Sequence, residues 1–185
     1  MLTVSLAPHN IIYARELSAL SAAAPVKDAL GLTSEQTSLK GSIEFIEFTL
    51  EQERIGKQYS RVILDESKTL IGVITLKDID NTSKTCHIGT WIGHPYWGKG
   101  YNALAKSEIL YTAFTDLELE YVFAGAKLSN IRSQKAQENL PYIRIGVHSE
   151  FPKEHLQLEA QVNSPCILNV IERELFLKWY SNHTI

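Results

Sequence analysis

Thr85-Cys-His-Ile-Gly-Thr-Trp-Ile-Gly-His-Pro-Tyr-Trp-Gly-Lys-Gly-Tyr-Asn102, continued by Ala103-Leu-Ala-Lys-Ser-Glu-Ile-Leu-Tyr-Thr-Ala113, reads as a strand, a glycine-bearing turn and a helix. Residues 85–92 are rich in the β-branched and aromatic side chains that fit a pleated surface. Pro95 stops that strand, Gly98 and Gly100 permit a tight turn, and Asn102 suits the start of a helix. The first amides of a helix have no intrahelical partner and share the positive end of its dipole. A phosphate or diphosphate group would sit well at this point.

A glycine pair before a helix also serves turns that bind nothing, so the surrounding pattern has to decide. No Gly-Lys-Ser/Thr follows at the four-residue spacing of a triphosphatase phosphate loop, and the third glycine and acidic strand end of a dinucleotide fingerprint are missing. A nucleotide-binding regulator is disfavoured on both grounds.

Tyr96-Trp97-Gly98-Lys99-Gly100-Tyr101-Asn102, preceded by Ile88-Gly89-Thr90-Trp91-Ile92-Gly93, resembles the acetyl-coenzyme A signature of the GNAT N-acetyltransferase superfamily. Within it, the segment is similar to the branch of ribosomal-protein N-terminal and spermidine acetyltransferases. The general pattern is Gln/Arg-x-x-Gly-x-Gly/Ala; Trp97 before the first glycine and Asn102 at the helix start depart from it in ways the branch accepts. A second block, Leu128–Ala136, resembles the branch's Asn-x-x-Ser helix, with Leu140-Pro141-Tyr142 standing where Leu-Gly-Phe is usual.

The resemblance implies an α+β fold: a mostly antiparallel, twisted sheet of about seven strands, flanked by helices, with strands four and five splayed around an acyl-pantetheine arm. It puts Trp91, Ile92 and Gly93 beside that arm and wraps the backbone of Trp97, Gly98, Lys99, Gly100, Tyr101 and Asn102 around the diphosphate, with Lys99 adding charge. Asn130 corresponds to the asparagine that bonds the pantetheine amide, and Ser133 to a hydroxyl that stabilises the departing thiolate. His87 stands where branch relatives often carry Glu, and its imidazole suits a general base; Glu44, Glu47, His94 and His148 are further candidates. Plain packing would equally account for Trp91, a helix cap for Asn130, an exposed helical position for Ser133 and a structural role for His87.

The implied activity is direct transfer of acetyl from acetyl-CoA to a primary amine, whether a protein N-terminal α-amine, a polyamine or a small-molecule amine, with no metal. A catalytically silent acyl-CoA sensor or scaffold of the same fold is the alternative. A cytoplasmic location is expected, and a homodimer is compatible with the reading.

Composition bounds these expectations. At 185 residues, 44% hydrophobic and 21% charged, the chain reads as one domain, 1–185, with no long apolar run to span a membrane and no secretory leader pattern at Met1–Asn10. A net charge of −3 with scattered Lys and Arg offers no track for direct nucleic-acid binding. Cys86 and Cys166 lie in apolar strand-like runs and read as buried reduced thiols; nothing makes a zinc site.

Hydrophobic periodicity fills in the order. A strand is expected over Leu2–Leu6, then a helix through Tyr13, Leu17, Leu20 and Ala24 that Pro25 breaks; Val26–Ser42 reads as a loop with room for a short helix, mobile over Ser34–Gly41. Ser42 is expected to cap a helix running to Gly56, apolar on more than one side through Phe45 and Phe48 and striped by Glu44, Glu47 and Glu51, a solvated face or a rim for a cationic amine. Strands follow at Tyr59–Leu64, Thr69–Lys77, Tyr121–Lys127, Tyr142–His148 and Cys166–Ile171, with helices from Asn130 to Leu140 and over Glu172–Tyr180. The helix after the glycine turn should carry Lys106 and Glu108 on its polar side, small residues in 121–127 should admit a ligand arm, and Ser149–Ser164 reads as a loop.

Overall fold

The computed structural model describes residues 1–184. Its strands are β1 (Ser5–Pro8), β2 (Tyr59–Leu64), β3 (Leu70–Asp80), β4 (Thr85–Ile92), β5 (Tyr121–Lys127), β6 (Ile143–Arg144) and β7 (Cys166–Glu172). The helices are α1 (Ala14–Ala22), α2 (Ala24–Leu30), α3 (Leu39–Arg54), α4 (Tyr101–Thr115), α5 (Ile131–Glu138), α6 (Pro152–Val162) and α7 (Arg173–His183). The seven strands form one sheet in the order β1-β2-β3-β4-β5-β7-β6. Pairing is antiparallel for β1 with β2, β2 with β3, β5 with β7 and β6 with β7, and parallel for β4 with β5. The parallel ladder joins Thr85, Cys86 and His87 to Tyr121, Val122 and Phe123. The register between these two strands is confined to those three residue pairs, although each strand is longer.

The chain divides into two compact units, the first comprising Met1–Lys77 and Gly89–Ile109, the second Asp78–Ile88 and Leu110 onward. In the first, α1 and α3 bury Ala14, Leu17 and Ile46 on Val62, Leu64, Leu70 and Val73 of β2 and β3. Trp91 of β4 packs against that same cluster. In the second, α6 lays Leu158 over Phe123, Leu168 and Val170. Phe114, Tyr142 and Phe176 form a further group of rings there.

Several boundaries move for physical reasons. Pro25 opens α2 rather than breaking a helix, because proline tolerates the first turn, and Gly31 closes it at φ +65°. Ser38, not Ser42, caps α3: its hydroxyl accepts from the Gly41 amide at 3.0 Å, while Ser42 is buried and gives its own amide to the Ser38 carbonyl. The stretch expected to be mobile is held by reciprocal bonds between Thr33 and Gln36, each side chain accepting from the other's amide. β1 lies at Ser5–Pro8, slightly later than expected, with Asn10 capping the 3₁₀ turn Ile11–Tyr13.

Ser149–Ser164 is not a loop but carries α6, started by Pro152 and ended by Asn163 in the left-handed conformation. The strand expected over Tyr142–His148 shrinks to Ile143–Arg144, because Gly146 turns at φ +67° and hands its amide to the Asn169 side chain. Lys106 is buried rather than on a polar side; desolvation lowers its pKa to about 8. The small size of Gly125 accommodates the protein's own Leu158, into which any Cβ there would run.

Candidate active site

At the end of β4, the turn is built backbone first. The Gly93 amide bonds the Ile71 carbonyl of β3 at 2.7 Å, so residues 91 and 93 direct their backbone polar groups toward β3. By the alternation of a strand, Thr90 and Ile92 present theirs on the opposite edge. The Ile92 carbonyl accepts from Trp97 Nε1 at 2.6 Å, which folds the turn back onto its own strand. His94 packs its ring edge-on against Trp97, with centroids 4.8 Å apart. The three expected arm-lining residues therefore differ: Ile92 keeps an amide on the edge away from β3, the Gly93 amide is already bonded, and the side chain of Trp91 turns to the α1 and α3 cluster.

Gly98 and Gly100 sit at φ +72° and +96°, a conformation that costs other residues about 1–3 kcal/mol. A Cβ at Gly98 would meet nothing within 4 Å, so conformation and not crowding requires glycine there. The first helical bond of α4 runs from the Leu104 amide to the Gly100 carbonyl at 3.3 Å. Asn102 is consequently the second helical residue and not the cap, and its Oδ1 is buried without a hydrogen-bond partner. Tyr101 buries its ring and donates its hydroxyl to the Glu66 carboxylate at 3.1 Å, leaving its backbone as the part that faces the turn. Lys99 is exposed, its Nζ 5.7 Å from the centre of the Tyr96 ring. An exposed turn with a free helix start and a nearby ammonium fits an anionic diphosphate.

In the second unit, Asn130 caps α5: its Oδ1 accepts from the Ser133 amide at 3.0 Å. Ser133 is half-buried, and its Oγ accepts from Gln137 Nε2 at 3.4 Å. Gln137 also donates to the Gly125 carbonyl at 2.9 Å and accepts from Asn169 Nδ2 at 2.7 Å, while Asn169 Oδ1 accepts from the Gly146 amide. Two backbone groups thus fix which way both amides face: the Gly146 N–H must meet an oxygen, and the Gly125 carbonyl must meet an N–H. Gln137 is then a donor to Ser133, whose hydroxyl proton is left to point elsewhere. His87 is buried, its ring 5.3 Å from that of Phe123.

A cavity of about 550 Å³ opens within the first unit, walled by Leu17, Leu30, Leu32, Phe45, Phe48 and Trp91, with Glu35 and Glu44 among its lining residues. The acidic stripe of α3 therefore divides. Glu44 lines the cavity, Glu51 is clamped by Arg54, and Glu47 is exposed. His94 is exposed beside Trp97, and His148 lies 5.5 Å from His155, ring to ring. Behind the cavity wall, the buried His9 bonds Ser60 Oγ at 2.8 Å and meets Phe45 edge-on at 5.5 Å. Burial, and secondarily Arg61, lowers its pKa to about 4, so its ring is neutral at neutral pH.

Sequence reasoning missed four of these features. Gln137 could have been found from its place one helical turn after Ser133, and Asn169 as a polar residue in an otherwise apolar strand. Nothing local marks Leu30, Leu32 and Phe48 as one wall, or His9 as the backing of Phe45.

Comparison with known proteins supplies the family. The model described as acetyltransferase (GNAT) domain matches residues 14–141. The chain belongs to the GNAT acetyltransferase family. It is 31% identical over 78 residues to the Bacillus subtilis (strain 168) protein named "Putative ribosomal N-acetyltransferase YdaF", covering 42% of this chain and 43% of that one. The chain spans about half the length of the two curated relatives it matches. Among solved structures, the microcin C7 self-immunity acetyltransferase MccE, in complex with acetyl-CoA and AMP, superposes with TM-score 0.69 at 20% identity over 77% of this chain and 79% of that one. Spermidine N-acetyltransferase from Vibrio cholerae, in complex with CoA and spermine, gives 0.72 at 14% identity over 95% and 98%. At such identities these two structures establish a common fold. No helix among the described residues of this GNAT chain is long and apolar enough to cross a membrane.

Proposed function

We propose that the chain is an acetyl-CoA-dependent N-acetyltransferase that passes the acetyl group directly to a primary amine. The carrying observation is the turn Trp97–Asn102, whose two left-handed glycines hold an open helix start in the setting of the GNAT family match. That match runs through both compact units, which supports one catalytic domain.

Bound acetyl-CoA supplies an activated acyl carbon: the amine nitrogen bonds to it as the carbon–sulfur bond breaks, and the proton lost by nitrogen balances the one gained by sulfur. The amides after Gly98 hold the diphosphate and Lys99 adds a positive charge. Within the first unit, Ile92 offers its amide to the pantetheine arm; within the second, Asn130 spends its oxygen on the α5 cap and keeps its Nδ2 for a ligand carbonyl. Ser133, receiving a hydrogen bond from Gln137, donates its own proton toward the leaving sulfur. Proton removal falls to His87 or to Glu44 on the cavity wall, and pH–rate profiles of H87Q and E44Q separate them. Cys86 is buried with its thiol pKa pushed up by desolvation, which supports transfer without an acetyl-enzyme.

The deciding experiment measures acetyl-CoA binding by calorimetry and coenzyme A release against a panel of small amines, polyamines and peptides with different first residues. Release with at least one amine is expected. Binding without release from any of them would instead favour a silent acyl-CoA sensor, and no binding would remove both readings. The acceptor is a protein N-terminal α-amine, a polyamine or a small-molecule amine, and a cytoplasmic location belongs to the same proposal.

A further inference from the structure

The cavity beside Trp91 has a lining of distinct chemistry. Its apolar wall is made by Leu17, Leu30, Leu32, Phe45, Phe48 and Trp91. Leu30, Phe45 and Phe48 are 40%, 37% and 53% exposed, an unusual surface to leave wet unless something covers it. The polar groups of the lining are largely spent on the protein itself: Ser21 donates to the Ser18 carbonyl, and Gln36 accepts from the Thr33 amide. What remains is charge of one sign, from Glu35 and Glu44, and Glu44 already has Lys40 at 3.8 Å.

We propose that this cavity selects a small monoamine whose ammonium group is attached to an apolar, ring-bearing body, an inference that rests on the acyl-transfer reading for its chemistry. The volume of about 550 Å³ is that of a site for one compact organic molecule, and the wall of rings and leucines stabilises a flat apolar body by burial. Two carboxylates suffice to draw in a single cation. A polyamine would have to place its second and third ammonium groups against the leucines and rings, where no acceptor replaces the lost water. An extended peptide would leave its backbone amides facing the same apolar wall without partners.

The test compares 2-phenylethylamine, spermidine and a peptide beginning with Ser as acceptors, alongside direct binding of 2-phenylethylamine followed by calorimetry. We expect kcat/KM for 2-phenylethylamine to exceed that for the other two by at least about tenfold, and F48A to raise its KM by about tenfold with the acetyl-CoA Kd unchanged. Binding of 2-phenylethylamine that F48D abolishes supports the cavity assignment even in the absence of any turnover. A preference for spermidine or the peptide, or no binding of 2-phenylethylamine, overturns the inference while acetyl-CoA binding and coenzyme A release leave the enzyme reading standing. Failure of acetyl-CoA to bind marks the failure of that reading instead.

Discussion

The turn after β4 and the start of α5 make opposite uses of the chain. At the turn, the side chains of Gly98 and Gly100 are absent, Lys99 is exposed, and backbone conformation shapes the candidate site. At α5, side chains dominate: Asn130 caps the helix at the Ser133 amide, and Ser133, Gln137 and Asn169 are joined by hydrogen bonds in which two backbone groups orient both amides. The first region should tolerate changes of side chain and reject changes of φ; the second should tolerate neither removal nor isosteric exchange of a polar atom.

The largest effect that sharpens this contrast is expected from N169L. It orphans the Gly146 amide and the Gln137 oxygen in a fully buried position, and the loss of stability should be about 3–5 kcal/mol by denaturant titration. A loss under about 1 kcal/mol would mean that the network is ornamental.

Acid should leave the α5 network untouched and act at a third place, behind the cavity wall. The α5 amides cannot titrate, whereas His9, backing Phe45, has its folded pKa lowered from 6.5 to about 4. A lowered folded pKa gives stability that is fully present above pH 6.5 and is lost as pH falls toward 4, on the order of 3 kcal/mol. H9F should flatten that part of the stability–pH curve, while an unchanged slope would show that His9 is not the group responsible.

Smaller effects fall on activity. S133A should lower kcat by about a hundredfold with little change in acetyl-CoA Kd, and Q137E, which replaces a donor by an acceptor, should reduce kcat in the same direction. An unaffected turnover in S133A would take the α5 start out of the mechanism. At the turn, G100V should weaken acetyl-CoA binding by about tenfold or more through φ strain, whereas K99A should change it only a few-fold and chiefly at low salt. Equal losses in the two variants would erase the distinction between backbone and side-chain binding.

The sequence was most legible where the physics is local. The boundaries of β4 and β5 are expected at Thr85–Ile92 and Tyr121–Lys127 and are observed there, because a β-branched and aromatic run stopped by Pro95, and an alternating run followed by the Asn130 cap, leave little choice. The family resemblance, on Tyr96–Asn102 and Asn130–Ser133, rested on the same kind of signal. Legibility failed at α6, whose single buried leucine, Leu158, gives too narrow a stripe for a periodicity argument, although Pro152 and Asn163 did mark its ends. It failed as well at Lys106, where charge suggested exposure and the packing of α4 imposed burial.

By itself, then, the sequence determined the strand–turn–helix unit, since glycine φ freedom, proline stops and helix capping act over a few neighbouring residues. Only tertiary structure decided that Trp91 would join Leu30 and Phe48 around one cavity, or that Asn169 would orient Gln137 behind Ser133. Those contacts unite residues far apart along the chain, and their directions are set by burial and by the requirement that every buried polar group find a partner.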